Sequence, residues 1–278
     1  MTGGRQPRKP LPMQPLGRVL IIAGSDSGGG AGVQADIKTV TALGGYAATA
    51  ITAITVQNTL GVQAVHPLPA ALMTAQARAV LDDIGADAIK TGMLGDRALV
   101  EAVAEVLAGA RVPAVVDPVM IAKGGAPLLP PDALSVVRAA LAPQAALLTP
   151  NAPEAAALTG LPCETTDDLR RAAEALLKAG AGAVLAKGGH VAGPRVIDLL
   201  VTPEGETTFE AERIDTRHTH GTGCTLASAC AAGLAQGLGL TEAVGRAWAY
   251  VQEALAHAPG LGAGHGPLDH GWPLRGRL

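Results

Sequence analysis

The sequence predicts an α/β fold: a mostly parallel central sheet with helices on both faces. From residue 18 onward, short apolar strand patterns alternate with amphipathic helix patterns. The apolar residues, 48% of the 278, are mostly Ala, Val and Leu, which suit helices packed against a parallel sheet. Neither a low-complexity linker nor an internal repeat interrupts residues 18–270. Residues 18–278 are therefore predicted to form a single domain.

Eight stretches have the composition of strands. The first is a continuous apolar run at residues 19–23, as expected for a strand buried on both faces. The next, at residues 49–56, is rich in Ile, Thr and Val. The others lie at residues 88–91, 114–117, 146–149, 183–187, 196–201 and 207–212. The last two flank the turn Pro203-Glu204-Gly205, which predicts an antiparallel hairpin.

Eight helices are predicted between and after these strands. They lie at residues 33–43, 69–84, 97–107, 131–141, 152–159, 167–179, 224–236 and 240–257. Gly44 and Gly45 follow the first helix and Gly180 follows the sixth, where a residue with positive φ ends a helix. Pro69 suits the first turn of the second helix.

The composition excludes several classes of protein. The formal net charge is −3 and only five residues are aromatic, which argues against a nucleic-acid-binding surface. No apolar run is long enough for a membrane span. Three scattered cysteines do not form a disulfide framework and fit a reducing, cytoplasmic compartment. Residues 1–17 are rich in proline and basic residues, and we expect them to form a disordered tail.

A glycine-rich loop at residues 24–32 joins the first strand to the first helix. Five glycines in nine residues predict backbone N–H groups directed at an anion or a polar ligand. The loop lacks the Gly-Lys-Ser/Thr of a Walker A motif, and no acidic residue lies between Asp36 and Asp82 to hold the ribose of a dinucleotide. The alternative is a turn whose glycines serve only helix packing.

A second glycine turn lies at Gly221-Thr222-Gly223, directly before Cys224 and an Ala-rich helix. Such a turn predicts an anion cradle of N–H groups at a helix N-terminus. Cys224 would lie in the first helical turn, where the helix dipole favours a thiolate. The alternative is a small apolar cysteine in the core, which is the interpretation preferred for Cys163 and Cys230.

Polar residues follow three further strands. Asp117 ends one strand, and Asn151 and Glu154 follow another at i and i+3, where their oxygens would face the same way and suit Mg²⁺, directly or through water. Lys187 ends a third strand and would meet a phosphate. A helix-dipole charge for Glu154 and an exposed strand-end lysine are the alternatives. Together these features favour phosphoryl transfer.

The chain resembles the bifunctional hydroxymethylpyrimidine and phosphomethylpyrimidine kinases of thiamine biosynthesis, within the ribokinase-like superfamily. Eight motifs occur in family order between about residues 18 and 270. They lie at residues 24–36, 57–59, 90–94, 117–120, 149–154, 187–190, 218–224 and 264–267. The sequence departs from the family in its extra N-terminal tail and in Ser27, where many relatives have proline.

The resemblance implies a three-layer α/β/α ribokinase-like fold with a small β element near the site, usually as a homodimer. It implies that ATP, with Mg²⁺, phosphorylates 4-amino-5-hydroxymethyl-2-methylpyrimidine and then its monophosphate. Gln57 would bind the pyrimidine, and the pocket would be lined by Ala31, Asp36, Met93 and Val119. The Mg²⁺ ion would be served by Asp117, Asn151 and Glu154, and the nucleotide by Lys187, Asn151 and Thr222. Gly221, Thr222 and Gly223 would form the anion hole, and Cys224 would be the general base.

Two other functions remain open at this stage. A pyridoxal-type vitamin kinase would keep the phosphate-binding residues and differ in the ring pocket. A non-catalytic pyrimidine-binding module would keep the pocket without turnover, although Cys224, Asn151 and Glu154 argue against it. In each case the partners are small molecules, with no role for nucleic acid or membrane.

Overall fold

The computed structural model describes residues 16–121, 125 and 128–275. Nine strands occur in this part of the chain: β1 (Arg18–Ser25), β2 (Tyr46–Asn58), β3 (Gly61–Pro67), β4 (Ala88–Thr91), β5 (Ala114–Val116), β6 (Leu147–Leu148), β7 (Val184–Ala186), β8 (Arg195–Thr202) and β9 (Gly205–Glu212). They form one sheet in the order β3-β2-β1-β4-β5-β6-β7-β8-β9. The predicted α/β fold with a mostly parallel sheet is confirmed.

Eight α-helices cover this sheet within the same residues: α1 (Gly32–Ala42), α2 (Ala70–Asp83), α3 (Arg97–Ala110), α4 (Pro131–Val136), α5 (Ala152–Thr159), α6 (Thr166–Lys178), α7 (Thr222–Ala235) and α8 (Leu240–Ala256). None of these described helices combines the length and apolar character needed to cross a membrane. Gly44 has φ 79° beyond the end of α1, and Gly180 has φ 113° beyond the end of α6. Both glycines therefore lie in the helix-ending position that the sequence predicts.

The strands β2, β1, β4, β5, β6 and β7 are parallel, whereas β3, β8 and β9 pair with their neighbours in antiparallel register. After β1 the chain forms β2 on one side of β1, and it later forms β4 on the other side. Such a reversal opens a crevice at the carboxyl ends of the strands. The loop at residues 24–32 leaves β1 at this point.

Each face of the sheet has its own apolar core. Leu20 and Ile22 of β1 join one core, together with residues of α2 to α6. Val19 and Ile21 point to the other face and pack with α1, α7 and α8. Since alternate residues of β1 are buried on both faces, the strand has the continuous apolar sequence seen at residues 19–23.

Two elements differ from the sequence prediction. Strand β3 was not predicted: four of its seven residues are exposed, and it pairs only with β2, which extends well beyond the expected residues 49–56. The helix expected at 131–141 is α4 followed by a π-helical turn, Val137–Leu141, and a short 3₁₀ turn that contains Pro143. Of the predicted tail, residues 1–15 lie outside the described part of the chain.

A fully buried ion pair joins β4 to α1 beneath the crevice. Lys90 Nζ lies 2.7 Å from Asp36 Oδ2, and both side chains are completely buried. Ser228 of α7 donates a hydrogen bond of 2.7 Å to the other oxygen of Asp36. Burial opposes the charge on Lys90, but the neighbouring acidic groups, led by Asp36, raise its pKa overall. The pair therefore ties the sheet to two helices of one layer.

Replacing Asp36 with Asn tests the buried pair, because it leaves the Lys90 charge without a counter-charge. We expect a loss of roughly 3–5 kcal/mol in the free energy of unfolding, measured with urea. Arg97→Ala is the matched control: it removes an exposed pair with Glu101, and should cost no more than about 0.5 kcal/mol. Equal small losses in the two variants would contradict this account.

Candidate active site

A cavity of about 610 Å³ opens at the carboxyl ends of the parallel strands. Every parallel strand contributes a residue within or just after it: Gly24, Gln57, Lys90, Asp117, Asn151 and Lys187. The end of β2 and the first turn of α7 complete the lining. The cavity therefore lies where the strand order predicts a ligand site.

Asp26 organises the loop at residues 24–32. Its buried carboxylate accepts hydrogen bonds from the backbone N–H groups of Gly28, Gly30 and Ala31 at 2.8, 3.0 and 2.8 Å. His220 Nε2 lies 2.8 Å from the same carboxylate. Burial raises the pKa of Asp26, but the hydrogen bonds from His220 and the backbone lower it overall, so this carboxyl stays ionised. The loop has a fixed shape because its N–H groups converge on one charge.

Gln57 lies at the end of β2 and reaches into the cavity. Its backbone is held by Ser27, whose hydroxyl donates to the Gln57 carbonyl at 2.7 Å and accepts from the Gln57 N–H at 2.8 Å. A proline at position 27 would have no hydroxyl for these bonds. The Gln57 amide lies between Thr55 and His220.

The predicted walls of the ring pocket divide into two groups. Ala31, Met93 and Val119 line the cavity as predicted. Met93 lies against the loop, so a Cβ added at Gly24 would lie 2.3 Å from the Met93 methyl group. Asp36 does not line the cavity, and that prediction is corrected: its carboxylate is committed to Lys90 and Ser228 below the floor.

The second glycine turn begins α7. Gly221 is the N-cap residue with φ 87°, and an added Cβ would lie 1.8 Å from the Gly30 carbonyl oxygen. Only glycine fits there, because both the backbone angle and the space exclude a side chain. The first-turn N–H groups of a helix lack intrahelical partners, and Thr222 and Gly223 of this turn line the cavity, with the Thr222 N–H donating to the Thr219 carbonyl at 3.3 Å. The turn is therefore suited to bind an anion.

Cys224 lines the cavity in the first turn of α7, as expected. Its titration differs from the sequence-based expectation. Burial raises the pKa of the thiol to about 11, and the nearby Lys90 charge only partly offsets this effect. The thiol, rather than the thiolate, therefore dominates near neutral pH.

Three charged side chains meet at the opposite wall of the cavity. Lys187 Nζ lies 2.9 Å from Asp117 Oδ1 and 3.9 Å from Glu154 Oε2. The two carboxylates raise the pKa of Lys187 despite its burial, so the ammonium stays charged. Burial raises the pKa of Glu154 to about 7, with Lys187 acting against it and Asp117 adding to it. Glu154 is thus poised to take up or release a proton near neutral pH.

Asn151 and Glu154 also form the capping box of α5. The Asn151 side chain accepts from the Glu154 N–H at 3.0 Å, and Glu154 Oε2 accepts from the Asn151 N–H at 2.8 Å. The amide oxygen of Asn151 is therefore already used in the cap. Across residues 16–121, 125 and 128–275, no group of three or more His, Cys, Asp or Glu side chains is arranged to hold a metal ion.

Several cavity residues were not among the predicted site residues, and three of them form the contacts described above. Asp26, Lys90 and His220 are all buried and line the cavity. Each lies inside a motif that the sequence analysis noted, so their proximity to glycine turns and strand ends was visible. Their hydrogen-bond partners could not be predicted from the sequence, because partners such as Asp26 and His220 are 194 residues apart in the chain.

Comparison with known proteins identifies relatives over nearly the whole chain. Residues 26–269 match the family model described as phosphomethylpyrimidine kinase. The hydroxymethylpyrimidine/phosphomethylpyrimidine kinase of Streptomyces coelicolor is 54% identical over 256 residues, which cover 92% of this chain and 95% of that protein.

Solved structures agree in fold. The phosphomethylpyrimidine kinase of Clostridium difficile is 42% identical with a TM-score of 0.76, covering 85% of this chain and 98% of that one. The ADP complex of pyridoxal kinase from Bacillus subtilis is 37% identical with a TM-score of 0.86, covering 92% of this chain and 98% of that one. The likeness therefore includes two kinds of vitamin-precursor kinase.

Replacing Gly221 with Ala tests the turn that begins α7. We expect a loss of about 1–3 kcal/mol in stability from the positive φ, and a loss of about 10²-fold in phosphoryl transfer from ATP as the N–H groups move. Urea unfolding and an ATP-consumption assay measure the two effects. Gly109→Ala in α3 is the control, since its added Cβ meets nothing within 4 Å. Full activity in the Gly221 variant would contradict the role of the turn.

Proposed function

Since this chain belongs to the phosphomethylpyrimidine kinase family, we propose that it phosphorylates 4-amino-5-hydroxymethyl-2-methylpyrimidine with ATP and then phosphorylates the monophosphate, in thiamine biosynthesis. One observation supports this function most directly. A single cavity contains an amide for a heteroaromatic ring, Gln57, and a helix N-terminus for a phosphate, Gly221 to Gly223. The hydroxymethyl group of a bound ring would face the transferred phosphoryl group between them.

The ring end of the cavity offers hydrogen bonds and apolar walls. Gln57 would pair with adjacent polar atoms of the pyrimidine, with Ala31, Met93 and Val119 against the ring. The nucleotide would lie toward Lys187, Asn151 and Thr222 (all cavity-lining residues), where the Lys187 charge is available to a phosphate oxygen. Phosphoryl transfer needs little more from a protein than this alignment and charge neutralisation.

Asp117, Asn151 and Glu154 would serve the Mg²⁺ ion that accompanies ATP. Their oxygens are hard donors on one side of the cavity, and the fit is to an ion bound largely through water and phosphate. Asn151 is committed to the α5 cap and Asp117 Oδ1 already binds Lys187, so an all-protein cage is not available. When bound, Mg²⁺ would neutralise charge on the transferred phosphate.

Cys224 and the glycine turn would act on the transferred group. In the first reaction the substrate hydroxyl oxygen bonds to the γ-phosphorus of ATP, the bond from that phosphorus to the bridging oxygen of ADP breaks, and the hydroxyl proton passes to the thiolate form of Cys224. The N–H groups of Gly221, Thr222 and Gly223 would stabilise the charge on the phosphoryl oxygens. In the second reaction the nucleophile is an ionised phosphate, which has little need of a base.

Pyridoxal phosphorylation is the second candidate activity. The specific support is the similarity to pyridoxal kinase of Bacillus subtilis, with a TM-score of 0.86 at 37% identity. The same phosphate-binding residues would serve both substrates, and the ring pocket would decide between them. Cys224, Asn151 and Glu154 are all present, which argues against a non-catalytic binding module.

We also propose a cytoplasmic homodimer. Exposed apolar side chains occur together at the tip of the β2–β3 hairpin, where Ile54 and Val56 share one face of β2 and Leu60 lies in the turn. A patch of this kind on an edge hairpin is suited to a second copy of the chain.

A phosphate-transfer assay with ATP, Mg²⁺ and a small panel of vitamin precursors tests the function. We expect turnover of the hydroxymethylpyrimidine and its monophosphate, with pyridoxal a weaker competitor because Gln57 matches the aminopyrimidine edge. Faster turnover of pyridoxal would favour the second candidate. Failure to consume ATP with either substrate would overturn the proposed kinase function.

Replacing Cys224 with Ala separates the two reactions. We expect the first phosphorylation to fall by about 10²- to 10⁴-fold, and the second by far less. Because burial raises the pKa of the thiol to about 11, the wild-type first reaction should also speed up with pH between about 7 and 10, and this rise should disappear in the variant. Steady-state kinetics of each step measure both effects.

The matched control is Cys163→Ala, since Cys163 is partly exposed and does not line the cavity. Its two reactions should remain unchanged. Equal losses of both reactions in the Cys224 variant would show that this residue shapes the anion hole rather than accepting the proton.

A further inference from the structure

A line of three polar side chains crosses the ring end of the cavity. His220 Nε2 lies 2.8 Å from Asp26 Oδ2 and 3.1 Å from the amide nitrogen of Gln57. His220 is 9% exposed and Asp26 is 3% exposed, so water does not compete freely for these contacts. The histidine therefore connects the residue that shapes the glycine-rich loop to the residue proposed to bind the ring.

Asp26 can only accept hydrogen bonds. Three backbone N–H groups already converge on its two oxygens, and hydrogen bonds lower its pKa against the effect of burial. The proton in the contact between Asp26 and His220 must then lie on His220 Nε2. This holds for both the neutral Nε2–H tautomer and the imidazolium.

A protonated Nε2 constrains the Gln57 amide. With the amide nitrogen on the His220 side, an amide NH₂ group lies 3.1 Å from a ring nitrogen that already carries a proton and cannot accept a hydrogen bond. The other end of the amide has a matching conflict: Thr55 donates its hydroxyl proton to the Ser25 carbonyl at 2.8 Å, so it has none for Gln57 Oε1 at 3.4 Å. Exchanging the amide oxygen and nitrogen resolves both conflicts, and amide orientation is assigned from such networks.

We propose that His220 is a positioning residue: its single Nε2–H, shared between Asp26 and Gln57, holds the Gln57 amide with its oxygen toward His220 and its nitrogen toward Thr55. The free edge of the amide then presents one acceptor beside one N–H donor, in a fixed order. That order matches a ring with an amino group next to an unprotonated ring nitrogen. The inference rests on the proposed function, and it names the chemical feature of the substrate that the pocket selects.

The backbone holds His220 in register with the rest of the site. Its N–H donates to the Gly266 carbonyl at 3.1 Å, and Gly221 follows it directly. The neighbouring His265 N–H donates to the Thr59 carbonyl at 2.8 Å, just beyond β2. The motif at residues 264–267 therefore joins the strand end that bears Gln57 to the turn that begins α7.

The fixed order of donor and acceptor makes a specific prediction about substrates. The 4-oxo analogue of the hydroxymethylpyrimidine has the reverse order, with a carbonyl acceptor beside a ring N–H. We expect the wild-type protein to prefer the amino compound by about 10- to 100-fold in kcat/KM, the value of a matched pair of hydrogen bonds. Without the donor from His220, the amide is free to turn over and serve either ring.

The decisive variants are His220→Ala and His220→Gln. We expect His220→Ala to reduce the preference for the amino compound to within about 3-fold, and to raise its KM about tenfold with less change in kcat. His220→Gln retains an N–H group for Asp26 and Gln57 and should retain most of the preference. His265→Ala is the matched control, because this exposed histidine lies in the adjoining motif and its side chain lies 3.2 Å from the Arg217 carbonyl oxygen instead of at the Gln57 amide.

The outcomes separate this inference from the proposed function. A wild-type protein that phosphorylates neither pyrimidine would overturn the proposed function. A wild-type protein that does so, with an unchanged preference in a folded His220→Ala variant, would overturn only the role of His220. Long-range proton–nitrogen NMR tests the inference on the wild-type protein, without a variant. We expect a proton on His220 Nε2, and an unprotonated Nε2 would overturn the role of His220.

Discussion

The active-site cavity depends on the parallel pairing of β1 with β2 on one side and with β4 on the other. Because the chain leaves β1 in one direction and returns in the other, no crossover covers the ends of these two strands. The glycine-rich loop after β1 occupies this position, and α7 packs against the same strand from one face. The loop and the helix N-terminus are thereby brought together although they lie almost 200 residues apart in the sequence. The remaining site residues then follow from the strand order, since the successive ends of β5, β6 and β7 carry Asp117, Asn151 and Lys187 to one wall.

Buried charges in this site are paired in a way that links stability to chemistry. Lys90 with Asp36, and Lys187 with Asp117, place two ammonium groups near Cys224 while keeping each charge compensated. An unpaired charge at this depth would reduce the stability of the fold. A paired charge avoids most of that cost and still contributes to the electric field in a region from which water is largely excluded. The thiol pKa of about 11 is the result of burial acting against this field. A bound nucleotide adds negative charge to the same region, so the proton affinity of Cys224 belongs to the complete set of charges rather than to the helix dipole alone.

Much of the fold follows from local patterns. Buried parallel strands have continuous apolar sequences, and glycines with positive φ end α1 and α6, so these elements were predicted close to their observed positions. Strand β3 was not predicted, because its stability comes from pairing with β2 and its mostly exposed residues have no strong apolar pattern. In the site, Gln57, Met93 and Cys224 were predicted site residues, and all three line the cavity. Asp36 was misjudged because its motif does not reveal that Lys90 and Ser228 surround it.

The sequence by itself determined the α/β class, the order of most strands and helices, and the glycine turns and polar strand ends that carry the chemistry. These features are encoded within a few neighbouring residues, through hydrophobic periodicity and through backbone angles that only glycine adopts freely. Tertiary structure alone decided which side chains meet. The contacts of Asp26 with His220, of His220 with Gln57 and of Lys90 with Asp36 join residues 54 to 194 positions apart. Hydrogen-bond direction, ionisation and the orientation of an amide depend on those contacts and on burial, which are properties of the folded chain.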